Sequence, residues 1–143
     1  MRIICRRRDL YRALRLLSRF IPTRSTLPIL QHVLIETPGS GRLRLSATNL
    51  EIGVACQIEA VVEQEGSAVV PALPLVAFLR GLSGEERATL CTGNAPPFED
   101  RARTFLLVDD LVAFPCMDAA GFPRVRGPAE AAITVRCPAR LLI

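Results

Sequence analysis

The sequence predicts an α+β fold in which helices pack on one face of antiparallel sheets. Three observations lead there. Residues 8–20 repeat apolar and basic positions at helical spacing, residues 30–70 alternate at strand spacing between turn signals, and a short apolar strand runs straight into a helix start three times, at 1–17, 67–82 and 131–143. The first two copies predict one domain built from two strand–helix–strands units. The third is cut off after one helical turn and predicts the start of a second domain, so the expected division is 1–128 and 129–143.

Taken in order, Met1 to Cys5 is a short apolar run expected as a strand, and Arg8 to Phe20 follows as a helix ended by Pro22 and Thr-Arg-Ser-Thr. Leu30–Thr37 is expected as a strand. A Pro-Gly-Ser-Gly turn at 38–41 joins it to a second, in which Leu43, Leu45 and Ala47 alternate with Arg42, Arg44 and Ser46. Glu51–Val62 continues as a strand with Ile52, Val54, Cys56 and Ile58 on one side, and a turn at Glu65-Gly66 leads to Ser67–Val70. Pro74 to Leu82 is expected as the second helix, since proline is tolerated in a first turn. Arg87–Thr92 is expected as a strand, Gly93 to Asp100 as a loop, and residues 104–114 as a hairpin turning at Asp109-Asp110. Gly121 to Pro128 has the composition of a linker, and Ala131–Cys137 begins a new strand.

Composition limits the function classes. Half the 143 residues are hydrophobic and 22% are charged, the balance of a folded globular chain. No run approaches the roughly 20 apolar residues of a membrane span, and Arg12, Arg15 and Arg19 interrupt any signal-peptide core. Five scattered cysteines without a CxxC fit a reducing, cytoplasmic compartment. His32, the one histidine, lies in an apolar strand without a neighbouring carboxylate, so no catalytic triad is expected. Neither a phosphate loop nor a zinc-ligand spacing occurs. The acidic pairs Glu85-Glu86, Glu99-Asp100 and Asp109-Asp110 fall in predicted turns or loops, where such pairs are usually solvated. No enzyme, no metal and no cofactor is expected.

Charge is distributed unevenly. Residues 1–24 carry eight arginines and one acid, a net +7, whereas residues 25–143 carry ten arginines and thirteen acids, a net −3. On the predicted helix Arg8, Arg12, Arg15 and Arg19 fall within a sector of about 60°, opposite Leu10, Leu17 and Ile21. Four guanidinium groups in such a row suit a run of phosphates, each contact being charge-assisted and releasing counterions. A merely solvated helix face is the alternative, although like charges at this spacing repel. With no Trp, and Tyr11 off the basic face, stacking on single strands is not expected. Without Asn or Gln on that face, adenine readout is not expected either.

The segment Arg24-Ser25-Thr26-Leu27-Pro28-Ile29-Leu30, then LIE at 34–36, LRLSATNLEIGV at 43–54 and VVPALPLVAFLRGL at 69–82, resembles the first domain of the bacterial DNA polymerase III beta subunit, the sliding clamp. The likeness covers residues 1–92, resumes at MDAAGFP (117–123), and includes the strand–helix start at 131–143. It implies the DNA-clamp fold: three similar domains per chain, two chains head to tail as a homodimeric ring, helices around a central hole and sheets outside. By the same resemblance the role is processivity, encircling double-stranded DNA without regard to sequence and tethering the replicative polymerase, with a clamp loader as a further partner. Matching positions imply Arg24, and Arg80 at the end of the second helix, as DNA contacts beside the first helix. They imply Phe78, Arg101 and Arg103 for the ring-closing interface. Three features depart from the family pattern. VPAL stands where VPAR is usual, placing Leu73 at a DNA-facing arginine position; residues 93–116 match poorly and run longer; and the sequence stops before the domains that form the pocket for polymerase peptides. A clamp relative acting only as a protein-interaction module is therefore the alternative.

Overall fold

The computed structural model describes residues 1–39, 41–82, 86–93 and 104–125. Strand β1 (Arg2–Arg6) runs without a linker into helix α1 (Arg7–Ser18). A 3-10 turn (Pro28–Gln31) precedes the meander β2 (His32–Glu36), β3 (Arg42–Thr48) and β4 (Gly53–Gln64). The second unit repeats the pattern with β5 (Ser67–Pro71), α2 (Ala72–Gly81), β6 (Arg87–Gly93), β7 (Phe105–Val108) and β8 (Val112–Pro115). The two strand–helix–strands units expected from the sequence are both present, and the α+β class holds. The third copy, the proposed second domain and the loop at 94–100 lie outside the described residues.

The eight strands of the described residues form one antiparallel sheet in the order β5-β2-β3-β4-β1-β6-β7-β8. The units are interlocked: β1 lies between its own β4 and the other unit's β6, and β5 pairs with β2. The counterpart of the β1–β4 pairing is a single bridge, Val69 to Met117, where the Met117 N–H donates to the Val69 carbonyl at 2.9 Å. The two sheet edges therefore meet, which satisfies backbone groups that an open edge would leave exposed.

Alternation decides which face is core. Ile3 and Cys5 of β1, Val33 and Ile35 of β2, Leu43 and Leu45 of β3 and Leu90 of β6 are buried together with Leu10, Leu14 and Leu17 of α1 and Leu75 and Leu79 of α2. The helices touch each other and share this one core, and the opposite sheet face carries the exposed Arg6, Arg42, Glu59 and Arg87.

Helix α1 ends at Ser18 instead of Phe20, β4 runs on to Gln64 instead of Val62, and three elements start two residues away from the sequence expectation. Residues 28–31 form a 3-10 turn with Pro28 in its first positions, and β2 begins at His32 instead of Leu30. Helix α2 begins at Ala72, two residues before Pro74, because a proline in the first turn removes an N–H that has no intrahelical acceptor anyway. Strand β4 begins at Gly53 rather than Glu51: the Asn49 carboxamide oxygen accepts the N–H groups of Glu51 (3.0 Å) and Ile52 (2.8 Å), holding both in a turn. The hairpin at Asp109-Asp110 is as expected, with φ of 50° and 54° at the two residues, the left-handed pair that short hairpins favour. Its acids are not both solvated, however. The side chains of Asp109 and Arg7 are 13% and 10% exposed and lie 3.3 Å apart.

Candidate nucleic-acid interface

Helix α1 presents two chemically distinct sides. Leu10, Ala13, Leu14 and Leu17 are buried, while Arg8, Arg12, Arg15 and Arg19 are all exposed, so the basic row expected from periodicity is a solvent face. Asp9 in the first turn and Arg15 near the end complement the helix dipole, whereas Arg8 opposes it. The row therefore carries an internal electrostatic cost from like charges at i,i+3 and i,i+4.

Arg24 is exposed on the loop after α1. That loop is pinned locally, with the Gln31 carboxamide donating to the Thr23 carbonyl at 3.2 Å and the Leu27 N–H donating to the Ser25 hydroxyl at 3.1 Å. His32 closes the segment through Nδ1–H to the Pro28 carbonyl at 2.8 Å, which is a structural use of the ring. Arg80 is exposed in the last turn of α2. Among the described residues none of these six guanidinium groups makes an ion pair or a hydrogen bond.

The second helix contributes less charge. Its solvent face includes Leu73 (49% exposed), Pro74, Ala77 and Arg80, one guanidinium against the four of α1 and its C-cap. Phe78 is half-buried and meets Phe114 of β8 edge to face, with ring centroids 6.0 Å apart. It thus ties α2 to the far strand of its own unit. Arg101 and Arg103 lie outside the described residues.

Arg7 was not separable from its neighbours by composition. It turns inward, and Asp109 joins it to the sheet: one carboxylate oxygen accepts from Arg7 and the other from the Thr89 N–H at 2.7 Å. Arg44 likewise bridges Glu36 (3.4 Å) and the Val125 carbonyl (3.2 Å), fastening the segment after β8 to β3. For Arg7 the only sequence signal was an acid in a predicted turn far away in the chain, whereas Glu36 and Arg44 are cross-strand partners on β2 and β3.

With this geometry in place, the chain can be set beside known proteins. The family described as DNA polymerase III beta subunit, N-terminal domain, matches residues 1–96. The chain belongs to that family. Among sliding-clamp relatives, the beta sliding clamp of Synechococcus elongatus is 34% identical over 96 residues, a match covering 66% of this chain and 26% of that protein. That of Synechocystis sp. is 31% identical over 133 residues, covering 82% and 33%. The chain thus spans about a quarter to a third of these relatives' length. Among solved structures, Caulobacter crescentus pol III beta superposes with a TM-score of 0.74 at 26% identity, covering 90% of this chain and 33% of the other. A sliding clamp from Bartonella birtlesii, solved bound to griselimycin, gives 0.73 at 26% identity over 89% and 32%. The clamp fold implied by the TLPIL, TNLE and VPA…RGL elements is the fold of this chain.

Proposed function

We propose that this chain is the DNA-facing first domain of a sliding clamp, a non-catalytic processivity element whose α1 face lies along the phosphates of duplex DNA. One observation carries the reading. Four exposed guanidinium groups, without partners among the described residues, stand in a row opposite the core face of a helix, on the fold of a clamp domain. Arg24 and Arg80 extend that basic surface. Contacts of this kind register charge and spacing rather than base identity, so binding is independent of sequence and weak for a single domain. Retention on DNA would come from enclosure by a head-to-tail ring, with the replicative polymerase and clamp loader as partners of the complete protein. In this reading residues 1–128 form the first domain and 129–143 open the second, Phe78, Arg101 and Arg103 serve the subunit interface, and the compartment is the cytoplasm.

Fluorescence anisotropy with two short duplexes of unrelated sequence tests the reading. Equal affinity for both is expected, and Arg12→Glu/Arg15→Glu should weaken binding by about tenfold or more, since each replaced contact is charge-assisted. A preference for one sequence, or indifference to the double substitution, contradicts it. The apolar solvent face of α2, with Leu73 exposed, favours the second reading of a protein-interaction module. Binding to a full-length clamp without any duplex affinity would select that one.

A further inference from the structure

On the outer face of the sheet, away from the helices, lies a cleft of about 440 Å³ crossing four adjacent strands. Register builds it. Arg42 pairs with Glu59 across β3 and β4, Cys5 with Ala60 across β4 and β1, and Arg6 with Arg87 across β1 and β6. One step beyond the Cys5–Ala60 pair, Arg6 comes beside Glu59. Arg42, Glu59, Arg6 and Arg87 therefore form one row over β3, β4, β1 and β6, about 14 Å long at the usual strand spacing. All four are exposed and all line the cleft, with the cross-strand pair Ile4 and Val61 beside them.

The charges in this row are not balanced. Arg6 and Arg87 stand directly opposite each other, an arrangement that destabilises a strand pair. Among the described residues no ion pair or hydrogen bond satisfies the guanidinium of Arg6, Arg42 or Arg87. Glu59 can neutralise one of the three, which leaves two positive charges facing a concave, partly apolar space. A dianion with several oxygens matches that remainder, because guanidinium forks grip phosphate oxygens in pairs.

We propose that this outer cleft binds a small phosphate-bearing anion, a phosphate monoester or pyrophosphate group, through Arg6, Arg42 and Arg87. A duplex backbone fits the site poorly. The outer side of β4 places Glu59 inside the row, an acid that would repel a continuous line of phosphodiesters, whereas the basic row on α1 contains no acid. The cleft is thus a second anion site, distinct in position and in ligand from the helix surface.

Amide chemical shifts of the 143-residue chain titrated with inorganic pyrophosphate test the proposal. Saturable shifts at Gly41, Ala60, Val61 and Arg87 are expected. Arg42→Gln/Arg87→Gln should weaken binding by about tenfold, the loss of two charge-assisted contacts. Arg12→Gln/Arg15→Gln, which removes the same charge from α1, should change it by less than about twofold because the sites are separate. Titration with ADP distinguishes sources of the phosphate: tighter binding than pyrophosphate indicates a nucleotide ligand, and equal binding indicates the phosphate group alone. Non-saturating shifts, shifts centred on α1, or equal losses in both double variants would overturn the proposal. Should the cleft variant fail to fold, the shift map of the unsubstituted chain decides by itself.

Discussion

Asp109 shows how one side chain can tie a helix to a sheet. Its backbone sits at φ 50°, a conformation that Asp, Asn and Gly tolerate best, while its carboxylate holds Arg7 of α1 and the Thr89 N–H of β6. Asp109→Ala leaves the Arg7 charge buried without this partner and should cost about 3 kcal/mol in urea denaturation. Asp109→Asn keeps both the turn preference and an acceptor for Thr89, and should cost clearly less. The buried thiols give a pH dependence of known sign. Burial, aided by nearby Asp9 and Asp109, pushes Cys5 from an ordinary 9.0 up to about 12, and burial pushes Cys116 up to about 11. Above pH 9 the unfolded chain can ionise these thiols while the folded chain holds them neutral. Stability is therefore unaffected by them below pH 9, and falls between pH 9 and 12. Replacing Cys5 by Ala should flatten that alkaline decline in a series of denaturation midpoints. At this scale the sequence was partly legible: Arg8, Arg12, Arg15 and Arg19 announced themselves by spacing. Arg7, about 100° round the helix from Arg8, sat at the margin between faces, and its burial depended on an acid in a distant hairpin.

At the scale of elements, periodicity carried most of the information and local hydrogen bonds supplied what it missed. The alternation of β3 was readable because one face is core, but the start of β4 was set by Asn49, whose side chain holds two backbone N–H groups in the turn. The hydroxyl of Thr48 adds a bond to the Ile52 carbonyl at 3.0 Å and accepts the Leu50 N–H at 3.0 Å. The Thr-Asn-Leu-Glu motif is thus a turn-forming device, which explains its value as a recognition element. Asn49→Ala should cost about 1–2 kcal/mol and fray the β3–β4 hairpin, visible as faster amide exchange at Gly53 and Val54. Helix α1 shows the opposite balance, with local stability given up for a charged face. Arg12→Gln relieves repulsion with Arg8 and Arg15 and should raise stability by about 0.5 kcal/mol at low salt, a gain that disappears at high salt. The same substitution should weaken duplex binding, so melting and anisotropy would move in opposite directions.

For the whole molecule, the repeat of strand–helix–strands was visible in three apolar strand-to-helix junctions, two of which the structure describes. What the sequence could not reveal is how the units interlock. The exchange that sets β1 beside β6 and β5 beside β2 joins strands far apart in the chain, and the Val69–Met117 bridge joins the sheet edges. Periodicity within a strand says nothing about its partners across the sheet, so the outer row of Arg42, Glu59, Arg6 and Arg87 was invisible until register aligned it. The basic surface of α1 needed no such alignment, because Arg8, Arg12 and Arg15 belong to one helix and Arg19 caps its C-terminal end. That surface is the central claim, and the salt dependence of duplex binding tests it most directly. Four arginines meeting phosphates predict a slope of log K against log salt of about −3 to −4, reduced in magnitude by about 2 in Arg12→Gln/Arg15→Gln. A slope near zero, or one the double substitution leaves unchanged, would contradict the assignment of α1 to DNA.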